Sequence, residues 1–166
     1  LKTPVIFDGR NIYNLTENKS IITVQELKSA FEVAYGKVAE AVYFSPGRVN
    51  LIGEHTDYNG GSVFPCALSF GTYLLLAKND KQAMNFKSLN QPEIVTLGFD
   101  QLTTPLQKSW VNYPLGVIAQ FVKRGVAITQ GYDMLIWGNV PNGAGLSSSA
   151  ALEVGTAYAF NDQLGT

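Results

Sequence analysis

Tyr43 to Ala67 reads Y-F-S-P-G-R-V-N-L-I-G-E-H-T-D-Y-N-G-G-S-V-F-P-C-A. An apolar strand signal, Val42-Tyr43-Phe44, runs into Pro46-Gly47, a pair with the composition of a turn. A second apolar run follows at Val49, Leu51 and Ile52, then the polar cluster Glu54-His55-Thr56-Asp57, closed by Asn59-Gly60-Gly61. No hydrophobic core needs that cluster. The pattern describes a strand that delivers short polar arms to one concave place.

The arms differ in chemistry. Glu54 and Asp57 carry carboxylates, His55 and Thr56 both donate and accept, and Arg48 supplies a rigid cationic fork six residues before Glu54. Such a mixture suits a polyol, whose hydroxyls each donate and accept, and a site that pairs them rejects analogues lacking them. A solvated turn with its charges facing water has the same composition, and the four residues alone do not separate the two readings.

The seventeen residues from Ser45 to Gly61, S-P-G-R-V-N-L-I-G-E-H-T-D-Y-N-G-G, resemble the signature of galactokinases, within the wider superfamily of galacto-, homoserine, mevalonate and phosphomevalonate kinases. Other members of that superfamily share a later glycine loop but not this run, so this stretch points to galactose.

Composition bounds the alternatives. The chain has 166 residues, 46% hydrophobic and 15% charged, which is the balance of a globular domain. A formal net charge of −1 with scattered Lys and Arg lacks the basic stripe of a nucleic-acid binder, so nucleic acid is not an expected partner. The single cysteine, Cys66, has no internal disulfide partner, and the single histidine, His55, cannot build a usual zinc set. A reducing, cytoplasmic setting is expected, with Cys66 as a buried, inert thiol. No apolar run reaches about 18 residues, so no membrane span is expected.

Residues 1–20 do not fit the rest. Pro4-Val5-Ile6-Phe7 has the look of a short strand, Asp8-Gly9-Arg10-Asn11 of a turn, and Thr16 to Ser20 of a linker. Leu1 to Tyr13 is similar to the C-terminal end of UDP-sugar dehydrogenases. Together with the missing initiator Met, this points to a fragment, a fusion or an imperfect gene model, with residues 21–166 as the kinase-like domain.

A helix is expected from Thr23, because Thr23 and Glu26 make a capping box, Val24, Leu27, Ala30, Phe31 and Ala34 recur at helical spacing, and Gly36 stops it. Phe70 to Ala77 is a continuous apolar strand and Glu93 to Phe99 an alternating one. Ser88 lies between them at the end of a strand. Ser109 to Lys123 forms a second helix, with Leu115, Ile118, Ala119 and Val122 on one face and Gly125 past its end. Trp110-Val111-Asn112-Tyr113 also resembles the family, although aromatics at a helix start commonly serve the core.

Pro141 to Ala151, P-N-G-A-G-L-S-S-S-A-A, follows a strand at Tyr132 to Trp137 and precedes helix formers through Phe160. Glycines that allow close backbone approach, free amides at a helix start and the helix dipole make phosphate the natural ligand. Ser147, Ser148 and Ser149 add hydroxyls for phosphate or Mg²⁺. A serine-capped helix start is the plainer reading. The P-loop pattern fails for want of a Lys after Arg124, a dinucleotide fingerprint lacks its third glycine, and G-x-S-x-G is absent. This stretch too resembles the kinase superfamily, in the right order after the first.

The resemblance implies ATP-dependent phosphorylation of the anomeric hydroxyl of α-D-galactose. Glu54, His55, Thr56 and Asp57 would hold the sugar hydroxyls. Gly143, Ala144, Gly145, Leu146, Ser147, Ser148 and Ser149 would wrap the ATP phosphates, with Ser149 on Mg²⁺, while Ser88 would contact the nucleotide. Arg48 would stabilise charge on the transferred phosphoryl group. The base aspartate and a glutamate ligand of Mg²⁺ would lie beyond Thr166. The chain is therefore expected to be the N-terminal part of a galactokinase, monomeric when complete, and weak and poorly soluble as it stands. The fold implied is α/β (α+β), a mixed sheet with helices packed on one side. Ser62 and Cys66 replace a common aromatic and alanine. A non-catalytic galactose sensor, a gene remnant and a kinase for a related sugar remain alternatives.

Overall fold

The structure, a computed structural model, describes residues 22–53, 55–140 and 148–165. Helix α1, Val24–Tyr35, starts and stops where local chemistry requires. The Thr23 amide donates to the Glu26 carboxylate at 2.7 Å and the Glu26 amide donates to Thr23 Oγ1 at 3.2 Å, closing the capping box. Gly36 then takes a left-handed φ of 69° and donates to the Glu32 carbonyl.

Five strands follow: β1 (Ala41–Ile52), β2 (Phe64–Asn79), β3 (Ala83–Ser88), β4 (Ile94–Gly98) and β5 (Gly131–Gly138), in the order β1-β2-β5-β3-β4. The sheet is mixed, since β3 and β5 run parallel and the other neighbours antiparallel. Helix α2 (Asn112–Lys123) lies between β4 and β5, and α3 (Ser148–Leu164) ends the described chain. The expected start of α2 at Ser109 moves to Asn112, because Ser109 to Val111 form a turn whose carbonyls at Ser109 and Trp110 accept from Asn112 and Tyr113.

Side chains of β2 alternate between two cores. Leu74 and Leu76 join Tyr43, Met84, Phe86, Tyr132, Met134 and Ile136 beneath α2 and α3, which contribute Leu115, Ile118, Leu152 and Phe160. Leu75 and Ala77 join Val42, Leu135 and Trp137 beneath Leu27 and Phe31 of α1. Burial on both faces explains why Phe70 to Ala77 shows no polar alternation. The expectation of helices on one side holds for α2 and α3, but α1 covers the opposite face. Helical periodicity shows that a face is buried, not which side of a sheet buries it.

The larger departure concerns β1 and β2. Pro46-Gly47 is not a turn. β1 runs through it, with a register shift between Pro46 and Arg48. β2 extends upstream to Phe64, six residues beyond the expected start at Phe70. β5 accompanies β2 only from Thr72, opposite Gly138, so Arg48–Ile52 and Phe64–Ala67 form a two-stranded ribbon that leaves the sheet. At its root, a Cβ on Gly71 would collide with the Ser45 carbonyl and the Phe44 ring, which is why glycine stands there. Among the described residues no layer covers the ribbon: Leu51, Ile52 and Phe64 are 63%, 71% and 62% exposed. Cys66, expected to be buried, is exposed on it.

Candidate functional site

The loop at the ribbon tip is organised by Thr56. Its hydroxyl lies 2.7 Å from the Gly53 carbonyl, to which it donates, and 3.1 Å from the Ser62 carbonyl. Its own carbonyl accepts from Gly61 at 2.7 Å and from Asn59 at 3.1 Å, around a 3-10 turn at Asp57–Asn59. Gly53 has φ +97°, and a Cβ there would lie 2.6 Å from the Ser62 carbonyl, so only glycine closes the loop. The Thr56 proton is thus engaged within the loop, leaving its hydroxyl lone pairs for any ligand.

His55 is exposed and has a left-handed φ of 58°. Its Nδ1 lies 2.7 Å from the Tyr58 hydroxyl, and its carbonyl accepts from Asn59 Nδ2 at 2.9 Å. Arg48, opposite Ala67 on the ribbon, is exposed, and its side chain makes no hydrogen bond or ion pair to another described residue. Its cationic fork is available. Glu54 and the Asp57 side chain lie outside the described residues, as do Gly143, Ala144, Gly145, Leu146 and Ser147.

A cleft of about 390 Å³ lies at the start of α3, lined among others by Ser88, Asn90, Trp110, Tyr113, Ser148 and Ser149. Ser88 and Ser148 are 60 positions apart in sequence and meet here because β3 ends beside its parallel neighbour β5, whose exit leads toward α3. Asn90 clamps that exit: its Nδ2 donates to the Gly138 carbonyl at 3.1 Å and its Oδ1 accepts the Gly138 amide at 2.9 Å. Ser88 is 4% exposed, and its Oγ accepts from the Asn90 amide at 3.1 Å. The amides in the first turn of α3 have no partner within the helix, and its dipole favours an anion at that end.

Trp110 adds an unspent donor. Its Nε1 is buried without a hydrogen-bond partner among the described residues, a state that costs about 1–3 kcal/mol unless a ligand or water relieves it. The sequence flagged Trp110 and Tyr113 only as a family-like pair at a helix start. Asn90 carried no local signal at all. Of the predicted residues, Ser88, Ser148 and Ser149 come together in the cleft, whereas Arg48, His55 and Thr56 lie on the ribbon and do not line it. The two parts adjoin through Thr72, which lines the cleft and pairs with Ser45 of the signature strand.

A buried carboxylate elsewhere is structural. Asp133 on β5 accepts from Asn85 Nδ2 at 2.6 Å and Asn79 Nδ2 at 2.9 Å, and pairs with Lys37 Nζ at 2.7 Å. Burial pushes its pKa up, but the hydrogen bonds from Asn85, Lys37 and Asn79 and the Lys37 charge outweigh that and hold it below the ordinary carboxylate value. It lies outside the cleft lining and belongs to the sheet. Among the described residues no group of three His, Cys, Asp or Glu could hold a metal ion. No helix among them is long and apolar enough to cross a membrane.

Comparison with known proteins agrees with this geometry. Residues 29–78, which run from within α1 through the ribbon into the body of β2, match the galactokinase galactose-binding signature. Residues 112–166 match the GHMP kinases N terminal domain. A galactokinase of Clostridium beijerinckii is 50% identical over 141 residues, covering 84% of this chain. Over these segments the chain is similar to galactokinases. It spans 36% of the length of that galactokinase relative. The solved structure of Lactococcus lactis galactokinase complexed with galactose superimposes with a TM-score of 0.81 at 36% identity, covering 86% of this chain and 37% of that one. Methanococcus jannaschii mevalonate kinase shares the fold, with a TM-score of 0.66 at 18% identity, covering 74% of this chain and 39% of its own. The ribbon falls inside the first matched segment, and Ser148 and Ser149 at the start of α3 fall inside the second, whereas Ser88, Asn90 and Trp110 of the cleft lie between the two.

Proposed function

We propose that the whole protein is a galactokinase, transferring the γ-phosphoryl group of ATP to the anomeric hydroxyl of α-D-galactose, and that this chain supplies its sugar loop and its nucleotide cleft. The observation that carries the reading is the meeting of Ser88 with Ser148 and Ser149 in one cleft, beside the root of the signature ribbon. In the transfer the anomeric oxygen forms a bond to the γ-phosphorus, the bond from that phosphorus to the β-γ bridging oxygen breaks, and ADP leaves. The hydroxyl proton passes to a carboxylate base, the aspartate expected beyond Thr166.

The chain's own residues position and stabilise. Glu54, His55, Thr56 and Asp57 hold sugar hydroxyls, with Thr56 accepting because its proton is engaged in the loop. Ser88 contacts the nucleotide, and the free Trp110 N–H offers a donor to an acceptor of the base. Gly143 to Ser149 and the start of α3 receive the phosphates. Arg48, uncommitted to any described partner, stabilises charge on the transferred group. Mg²⁺ neutralises phosphate charge when bound. Ser149 is half-buried at the cleft and fits it as one neutral oxygen ligand, since Mg²⁺ commonly takes few protein ligands beside phosphates and water. A cytoplasmic location accords with this chemistry.

The test is formation of galactose 1-phosphate from galactose and ATP by the whole protein. Product that depends on both substrates supports the proposal. Binding of galactose and ATP without product identifies a sensor instead.

A further inference from the structure

Tyr58 stands in the ribbon-tip turn with its side chain 72% exposed, so packing does not account for it. Its hydroxyl lies 2.7 Å from His55 Nδ1, and the two rings stand edge to face at 6.0 Å and 68°. His55 is held twice more: Asn59 Nδ2 donates to its carbonyl at 2.9 Å, and its backbone sits at φ 58°, a conformation uncommon for a residue with a Cβ. Two of these features fix the backbone that carries the imidazole, and the Tyr58 hydroxyl alone meets the ring. A histidine serving only as a solvated surface residue needs none of them.

A neutral imidazole has one N–H and one bare nitrogen, and the partner of one nitrogen decides which carries the proton. A phenol is the better donor in such a pair, because its oxygen lone pair is drawn into the ring. We infer that Tyr58 is a positioning residue: its hydroxyl donates to His55 Nδ1 and holds the ring as the Nε2–H tautomer, so that His55 presents a donor to a sugar oxygen. The inference rests on the galactose reading for the owner of that oxygen, and on the ribbon geometry alone for the tautomer.

Tyr58→Phe removes only one exposed oxygen and leaves the ring, so the fold is preserved. His55 is the single histidine of the chain, and its ring nitrogens are therefore read directly in a ¹⁵N-histidine sample. With the ring neutral, the wild type is expected to hold its proton on Nε2 alone, and Tyr58→Phe to show a measurable share of the Nδ1–H form. The galactose Kd is expected to rise about 3–10-fold in the variant, the range of one hydrogen bond. Identical tautomer populations in the two chains, a wild-type proton on Nδ1, or equal galactose affinity overturns the inference. A tautomer change in a chain that binds no galactose overturns the sugar reading and leaves the role of Tyr58 standing.

Discussion

Within the single strand β2, Leu74 to Ala77 are at most 1% exposed, whereas Phe64 is 62% exposed. The first group lies in the five-stranded body, with helices on both faces; Phe64 lies in the ribbon, with none. The same polypeptide thus changes from a packing element to a bare arm at Gly71, where β5 ceases to accompany it. Residues of the body answer to volume and apolarity. Those of the ribbon tip answer to hydrogen-bonding geometry, as Thr56, His55 and Asn59 show.

Truncation separates the two regions most sharply. Phe86→Ala removes a fully buried ring and is expected to destabilise the chain by about 3–5 kcal/mol, whereas Phe64→Ala stays within about 0.5 kcal/mol, as urea unfolding will measure. Equal losses would mean that the ribbon is packed, and the contrast would fall. Next in size, Arg48→Ala is expected to lower the kcat of the whole protein by about 10²–10³-fold, the range for losing one charge-stabilising group, with little change in the urea midpoint. A loss of stability matching the loss of activity would place Arg48 among the packing residues.

Acid sharpens the same contrast through Asp133. Its pKa is depressed in the folded chain, so its contribution is complete above the unfolded value near 3.8 and disappears as pH falls through the lower folded value. The urea midpoint should therefore fall below about pH 4, and Asp133→Asn should remove that part of the slope. An unchanged slope in the variant contradicts the network of Lys37, Asn79 and Asn85. Smallest of all, Cys66→Ala is expected to shift stability by no more than about 0.5 kcal/mol. In the native chain the Cys66 thiol should react with a disulfide reagent without prior unfolding.

The body was largely legible in the sequence because its signals are local. The capping box at Thr23 and Glu26, the stop at Gly36 and the apolar run to Ala77 each report on neighbours a few residues away. The ribbon was misjudged for the opposite reason. Pro46-Gly47 has the composition of a turn, and only the continued pairing with β2 makes it a bulge. Likewise Cys66 follows Phe64 and Pro65, but whether a strand face is covered depends on a layer that adjacent residues do not describe. The residue types of Glu54 to Asp57 and of the serine loop are plain in the sequence, but Glu54, the Asp57 side chain and residues 143–147 lie outside the described residues. The partners Asn90 and Trp110 were not legible, because a clamp on Gly138 and an unpaired indole exist only once β3, β5 and α3 meet.

The most direct test follows both ligands at once by NMR, since chemical shifts register weak binding and the chain offers one histidine at the ribbon tip and one tryptophan N–H, that of Trp110, at the cleft. The account predicts that galactose shifts the His55 ring signals and that ATP with Mg²⁺ shifts the Trp110 indole signal while leaving that of Trp137 in place. Galactose shifting Trp110 without His55, or ATP shifting neither tryptophan, would contradict the division of labour between ribbon and cleft.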